Sequence, residues 1–535
     1  MPRLLAVVAV AVLAPAGRAD PTYWADVRPI LRKHCTVCHS ERKLGEVEVS
    51  AGLALDKLEY IRAGGKKGAV PVVVPGQPEK SPLVTLLTTK DKKRAMPLDA
   101  DPLPAADVAT LRRWVELGAP EGVPPKDLDT VAAANPATIA KVRKLPVTFA
   151  TKAVLPKDAK LPGPIDFTLP VGPLPPVAAV AFSSDGKLLA TGSYGRVTVW
   201  ELGKAAPANV LTNVLGAVND LRFSPDGKLL AVAGGQPSAR GDLRLFATSD
   251  WGLVGSLGGH LDTVSGVAWA PDGKKLVSAS FDKTVRLWDV ADAKTPKVLH
   301  TFTGHSDFVY AVSFGPKGDW YATASKDRTG RLVDAATGKS LFTLSGNNDE
   351  VLAVAVRPDG AQVVTSGLEP LLRFWDAKTA EKTKQVGGPG GGTHELSIDR
   401  AGKLAAAAGA DGTVRLYNPE AAAALKVIPT GAPVFAVAID PAGKRVASGA
   451  ADGVVKLWDA VAGRHLVTLW SGAEGWVAFT PEGHVSAADG LAARATWRAG
   501  ARPLTEARWL GALVAPAEVA RAARGDKVGE LVFPK

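Results

Sequence analysis

The chain is 535 residues long, 46% apolar and 22% charged, which excludes a disordered polymer and is too much for one ordinary core. Lys and Arg outnumber Asp and Glu by 64 to 53, a net charge of +11 that forms no basic block, so no nucleic-acid partner is expected. Only two cysteines occur, Cys35 and Cys38, which excludes a secreted scaffold stapled by many disulfides.

The N-terminus has Arg3, an apolar run over 4–14 and the small-x-small sequence Gly17-Arg18-Ala19. This predicts a secretory signal peptide over 1–19, too short to span a bilayer, and an exported protein of the periplasm or cell envelope. A buried N-terminal helix is the competing reading. No later stretch approaches about 18 uninterrupted apolar residues, so no transmembrane segment is expected.

Residues 20–120 read as a small all-α domain. Trp24, Val27, Ile30 and Leu31 have helical spacing. A Gly- and Pro-rich middle and a short apolar stretch over 82–88 follow. Over 104–118, Pro104 suits a first turn, Val108, Leu111, Trp114, Val115 and Leu117 make an apolar face, and Gly118 with Pro120 ends it. Prolines then recur, and 121–164 reads as a linker.

Within the first domain, His34-Cys35-Thr36-Val37-Cys38-His39 contains Cys-x-x-Cys-His, the attachment pattern for one covalent haem c. Two thiols on one turn can reach two vinyl groups of a porphyrin, and the next residue can offer its imidazole to iron. Cys35 and Cys38 are the expected thioether anchors and His39 the proximal iron ligand. Zinc bound with His34 and a redox disulfide are the alternatives, but no second ligand pair and no βαβ pattern accompany the cysteines. Signal removal leaves Met96 as the one methionine, on a loop before the last helix, and it is the expected distal ligand. His34 as ligand and Met96 as a packing residue remain its rivals. Lys90, Lys92, Lys93 and Arg94 lie within six residues of Met96 and read either as a basic docking rim or as a solvated loop.

From about residue 177 the sequence repeats. Turns such as Pro225-Asp226-Gly227, Pro271-Asp272-Gly273 and Pro358-Asp359-Gly360 precede strands that end on large residues. Those ends are Trp200, Phe246, Trp288, Val333, Trp375, Tyr417 and Trp458, spaced 41 to 46 residues apart. Such a period with four strands per unit predicts an all-β propeller over 165–500. A degenerate unit ending at Trp497 makes eight blades the expectation, with seven as the alternative and a strand near Phe167 expected to close the ring. The tail, 501–535, is expected to hold one short helix over 516–524. His300, His394, His465 and His484 sit singly and read as structural.

Two blades resemble the WD-repeat family closely. Gly259-His260, Ser280, Asp282 and Trp288-Asp289 match its pattern; Gly304-His305, Ser325 and Asp327 do so with Val333 in place of tryptophan. The resemblance implies a hydrogen-bonded brace of His, Ser, Asp and Trp within the blade, and a protein ligand on the propeller. The first domain resembles the Planctomycete cytochrome C domain, on the stretch from Arg28-Pro29-Ile30 to His39, Val74-Pro75-Gly76 with Ser81-Pro82-Leu83, and Met96-Pro97 with Gly118-Ala119-Pro120. That resemblance implies a haem c carrier in an exported protein. Six-coordinate iron leaves no open substrate position, so single-electron transfer to a redox partner is expected rather than an enzyme activity, the acidic nature of that partner resting on the basic rim. An envelope scaffold in which haem is a sensor or structural element is the alternative.

Overall fold

The computed structural model describes residues 20–28, 30–31, 61, 72–89, 91, 103–121, 146–155, 163–238, 240–505 and 507–533. The chain divides into two units, 1–134 and 135–535.

Among the described residues of the first unit the regular elements are helical. A one-turn π-helical segment, Tyr23–Val27, leads in, and two α-helices follow, Pro82–Thr88 and Ala105–Glu116. Tyr23, Val27, Leu31, Ile61, Leu111 and Trp114 lie at the centre of one small core. The longer helix stops where the sequence predicts. Gly118 adopts φ +85°, and the Ala119 N–H returns to the Trp114 carbonyl at 2.9 Å, satisfying a carbonyl the helix end leaves free.

The second unit begins inside the span read as a linker. Pro146–Val154 is a strand because Phe149, Thr151 and Ala153 alternate inward along it. It pairs with Pro164–Pro170, which pairs in turn with Thr496–Ala499, so that Phe149 faces Phe167 and Phe167 faces Trp497.

Between these segments the chain builds seven blades, at 179–211, 217–256, 264–302, 309–344, 351–387, 393–429 and 434–472. Each is an antiparallel meander whose first strand is innermost. The turn after each first strand ends on a glycine at φ near +70°: Gly186, Gly227, Gly273, Gly318, Gly360, Gly402 and Gly443. Each of these glycines donates its N–H three residues back, as Gly227 does to Ser224 at 2.8 Å. An L side chain is strained at that φ, and the recurrence of glycine follows.

Seven apolar cores lie between successive blades, and each is filled by one of the large residues read from the sequence. Phe246 packs against the first blade, Trp288 against the second, Val333 against the third and Trp375 against the fourth. Tyr417 and Trp458 continue the series, and Trp200 of the first blade enters the core it shares with the seventh. The ring is therefore closed with seven blades, which corrects the expectation of eight. Trp497 fills a separate core with Phe149, Phe167, Trp470, Phe479 and Trp509, and Phe167 belongs to that outer sheet instead of closing the ring. The seventh blade continues outward through Gly475–Phe479 and Val485–Ala487 to six strands.

Among the described residues no strand is exchanged at the closing seam. The Val177 N–H reaches the Ala450 carbonyl at 3.1 Å, and the expected C-terminal helix, Pro516–Ala523, buries Val519, Ala522 and Ala523 in the seam core. The tail holds a second helix, Ala507–Leu513, beyond the one expected. Arg445 ties the three parts together, bonding Asp440 in its own blade, the Gly186 carbonyl in the first blade and the Ala523 carbonyl of the helix. Trp200→Ala should cost about 3–5 kcal/mol, because a rigid ring cannot collapse into the void left at the seam. Denaturant unfolding checks this, and a loss under about 1 kcal/mol would mean that the seam yields.

Candidate functional site

Cys35, Cys38, His39 and Met96, the rival His34, and Lys90, Lys92, Lys93 and Arg94 all lie outside the described residues. The described part of the first unit accounts for the other sequence features around them. The Ser81 hydroxyl accepts the Val74 N–H at 2.8 Å and donates to the Gln77 carbonyl at 3.0 Å, so Val74-Pro75-Gly76 and Ser81-Pro82-Leu83 form one turn. The Gly76 N–H bonds the Val115 carbonyl at 2.8 Å, fixing that turn to the long helix. Pro120 accepts from both the Tyr23 N–H and Trp114 Nε1–H, so the two ends of the domain meet on one carbonyl. Among the described residues no cluster of His, Cys, Asp and Glu could hold a metal ion, and no helix is long and apolar enough to cross a membrane.

In the second unit the expected brace is present in the third and fourth blades with one change of residue. Trp288 Nε1–H donates to Ser278 at 2.8 Å, the Ser278 hydroxyl meets His260 Nε2 at 2.7 Å, and His260 Nδ1 meets Asp282 at 2.9 Å. Ser280, expected in the brace, instead bonds the Asp262 carbonyl and receives the Asp282 N–H. In the fourth blade Thr323, not Ser325, bonds His305 at 2.7 Å, with Asp327 on the other ring nitrogen at 2.7 Å. A sequence signal existed. A hydroxyl stands ten residues before the closing aromatic in Ser278–Trp288, Thr365–Trp375 and Ser448–Trp458, and each pair is bonded at 2.8 Å.

Burial holds the His260 imidazole below its ordinary 6.5 despite the Asp282 hydrogen bond. Burial opposes ionisation of Asp282 too, but His260, Thr284 and the Leu261 N–H together hold that carboxyl well below its usual range. Both folded-state shifts are downward, so this brace's stability is complete above about pH 6.5 and is lost as acid protonates His260 and then Asp282. Urea unfolding between about pH 7.5 and 4 should show stability falling with pH, more steeply for wild type than for His260→Gln. Equal slopes would remove His260 as a cause.

The four histidines that the sequence leaves single, His300, His394, His465 and His484, all lie in the second unit. His465 bonds Thr468 at 3.0 Å and lies against Trp458, with burial pushing it down to about 4; His484 donates to the Gly529 carbonyl at 3.1 Å. His300 is half-buried on an outer strand, and His394 meets Phe435 edge to face.

Sequence reasoning missed the central channel. Its walls are the seven innermost strands, mostly alanine, glycine, valine and serine. Into it the second blade projects Asp220 and Arg222, and the sixth projects Glu395. Arg222 reaches Glu395 at 2.7 Å and Asp220 at 3.1 Å, joining opposite sides of the ring. The signal was two charges in a strand, Asp220-Leu221-Arg222, where the first, third, fourth, fifth and seventh blades carry small or apolar residues and the sixth carries Glu395.

Residues 35–99 match the Planctomycete cytochrome C family. Six segments, 169–201, 209–246, 251–289, 296–334, 338–376 and 425–459, match the WD domain, G-beta repeat. The sixth blade, rich in alanine and closed by Tyr417, falls largely between the last two segments. WD repeat-containing protein 1 of Xenopus tropicalis is 42% identical over 89 residues, 16% of this chain and 14% of its own. The intraflagellar transport protein 122 homolog of Homo sapiens is 45% identical over 71 residues, 13% of this chain and 5% of its own. An uncharacterized WD repeat-containing protein of Synechocystis sp. is 32% identical over 125 residues, 23% of this chain and 34% of its own. The chain thus spans about a third or less of these relatives' length.

Proposed function

The chain joins a Planctomycete cytochrome C domain to WD repeats, and we propose that it is an exported c-type cytochrome that passes single electrons, with the propeller as the platform for a protein partner. The observation that carries this reading is the family match over 35–99, which spans Cys35, Cys38, His39 and Met96 together. The donor chemistry fits: two thiols for thioether bonds, an imidazole, and a soft thioether sulfur suited to iron.

Cys35 and Cys38 would anchor the group, His39 would hold iron from the proximal side, and Met96 would close the distal position against water and substrate. Haem c bound in this way supplies one-electron chemistry. Lys90, Lys92, Lys93 and Arg94 would then rim the distal side and steer an acidic redox partner. WD repeats support the role given to the propeller, and the signal-like residues 1–19 support export to the periplasm or envelope.

Replacing Cys35 and Cys38 by alanine should abolish haem that survives denaturing electrophoresis, while the propeller still folds. Haem retained through denaturation in the double variant would sink the assignment. Met96→Ala should lower the reduction potential, open iron to carbon monoxide and remove the sulfur-to-iron charge-transfer band. An unchanged spectrum and potential would leave Met96 a packing residue.

A further inference from the structure

Two carboxylates share one guanidinium in the propeller channel. Asp220 accepts the Leu221 N–H at 2.8 Å and the Val267 N–H at 2.9 Å, and Glu395 accepts the Val437 N–H at 2.9 Å and Arg222 at 2.7 Å. The Asp220 and Glu395 side chains are 12% and 18% exposed, and they line a channel cavity of about 70 Å³, room for a few waters. Three charges are present and they do not cancel. With both carboxylates ionised the cluster carries one net negative charge inside walls of low dielectric.

No other group on the facing strands supplies the missing charge. The inner strands of the first, third, fifth and seventh blades bring no titratable side chain to the described cavity lining. The fourth brings Tyr310, whose hydroxyl donates to Glu350 at 2.8 Å, and burial with that carboxylate pushes its ionisation up. The sixth brings His394 beside Glu395, where burial pushes the imidazole down, away from its charged form. Arg222 is the one cation lining the cavity among the described residues, and burial, which would lower it, is outweighed by its two carboxylates.

We propose that this cluster is a proton-binding site of the closed propeller: Asp220 keeps Arg222 as its counter-charge, and Glu395 takes up the proton that makes the channel neutral. Protonated Glu395 still accepts from Arg222 and can donate to channel water. Loss of the proton leaves the same atoms in contact with one uncompensated negative charge between opposite blades. Burial accordingly pushes the Glu395 carboxyl up to about 7, with Asp220 adding to the shift and Arg222 opposing it.

The sign is opposite to that of the blade brace. A carboxyl raised in the folded state adds stability that is complete below its unfolded value and is lost as pH rises through about 7. Total stability mixes both trends, so the test must read the carboxyl itself. Infrared titration of the full-length protein from about pH 5 to 9 should show a protonated-carboxyl band with a midpoint near 7 that is absent from Glu395→Gln. Asp220→Asn leaves Glu395 in place and balances the charges, so the same band should lose about tenfold or more in proton affinity. A band insensitive to Glu395→Gln, or no such band at about pH 6, would overturn the proposal. An unchanged midpoint in Asp220→Asn would overturn the shared guanidinium as its cause, and that comparison stands even if Glu395→Gln fails to fold.

Discussion

A four-stranded blade has an apolar residue on both faces at almost every level and cannot bury either face alone. Its stability exists only between neighbours, so the wedge between adjacent blades is the unit on which the propeller depends. In each wedge a large side chain from the third strand fills the space, and its polar atom, where it has one, meets a hydroxyl or carbonyl. Trp288 meets Ser278, Trp375 meets Thr365, Trp458 meets Ser448, and the Tyr417 hydroxyl meets the Gly387 carbonyl. A buried indole N–H left unmet would cost much of what its ring contributes. Val333 and Phe246 solve the same problem by carrying no polar atom.

A ring built this way has one difficult joint, where the first blade meets the last with no continuous chain across it. Here the joint is covered from outside. The tail helix lays an alanine- and valine-lined face over Trp200 and the seventh blade, and Arg445 converts three otherwise separate carbonyl and carboxylate groups into one point of attachment. Thr198 bonds Ser471 across the same joint at 3.0 Å, and Trp476 meets Trp200 edge to face. The outer sheet of 146–170 and 496–503 packs on the seventh blade through Phe149, Phe167 and Trp497 against Trp470 and Phe479.

Local chemistry that repeats was legible in the sequence, and chemistry that depends on closure was not. Pro-Asp-Gly turns in three blades and a large strand end in every one announced the repeat, because every blade needs its own turn and its own plug. The number of blades was not local. Trp497 looks like an eighth plug, and only its pairing with Phe167 shows that it serves a different sheet. Ser280 reads as the brace residue because it sits beside Asp282; Ser278 and Ser280 share one face of the strand, but Ser278 lies one pleat further in, within reach of His260, while Ser280 at the strand end serves the turn. The proposed haem donors come from a spacing of residue types alone, a pentapeptide and one later sulfur, and they lie outside the described residues.

The channel cluster was the least legible feature, and the reason is geometric. Asp220 and Arg222 stand two residues apart and read alone as a self-paired, solvated edge. Glu395 lies 173 residues away from Arg222, and only a closed seven-blade ring sets their strands opposite each other across a narrow channel. Closure therefore creates the electrostatic problem as well as the fold: it brings a second carboxylate to a guanidinium that already had one. The net charge of the chain, +11, is no guide to the sign of that interior, because charges on outer strands and turns are screened by water before they reach it. What decides the local potential is the count of charges inside the ring, two negative against one positive.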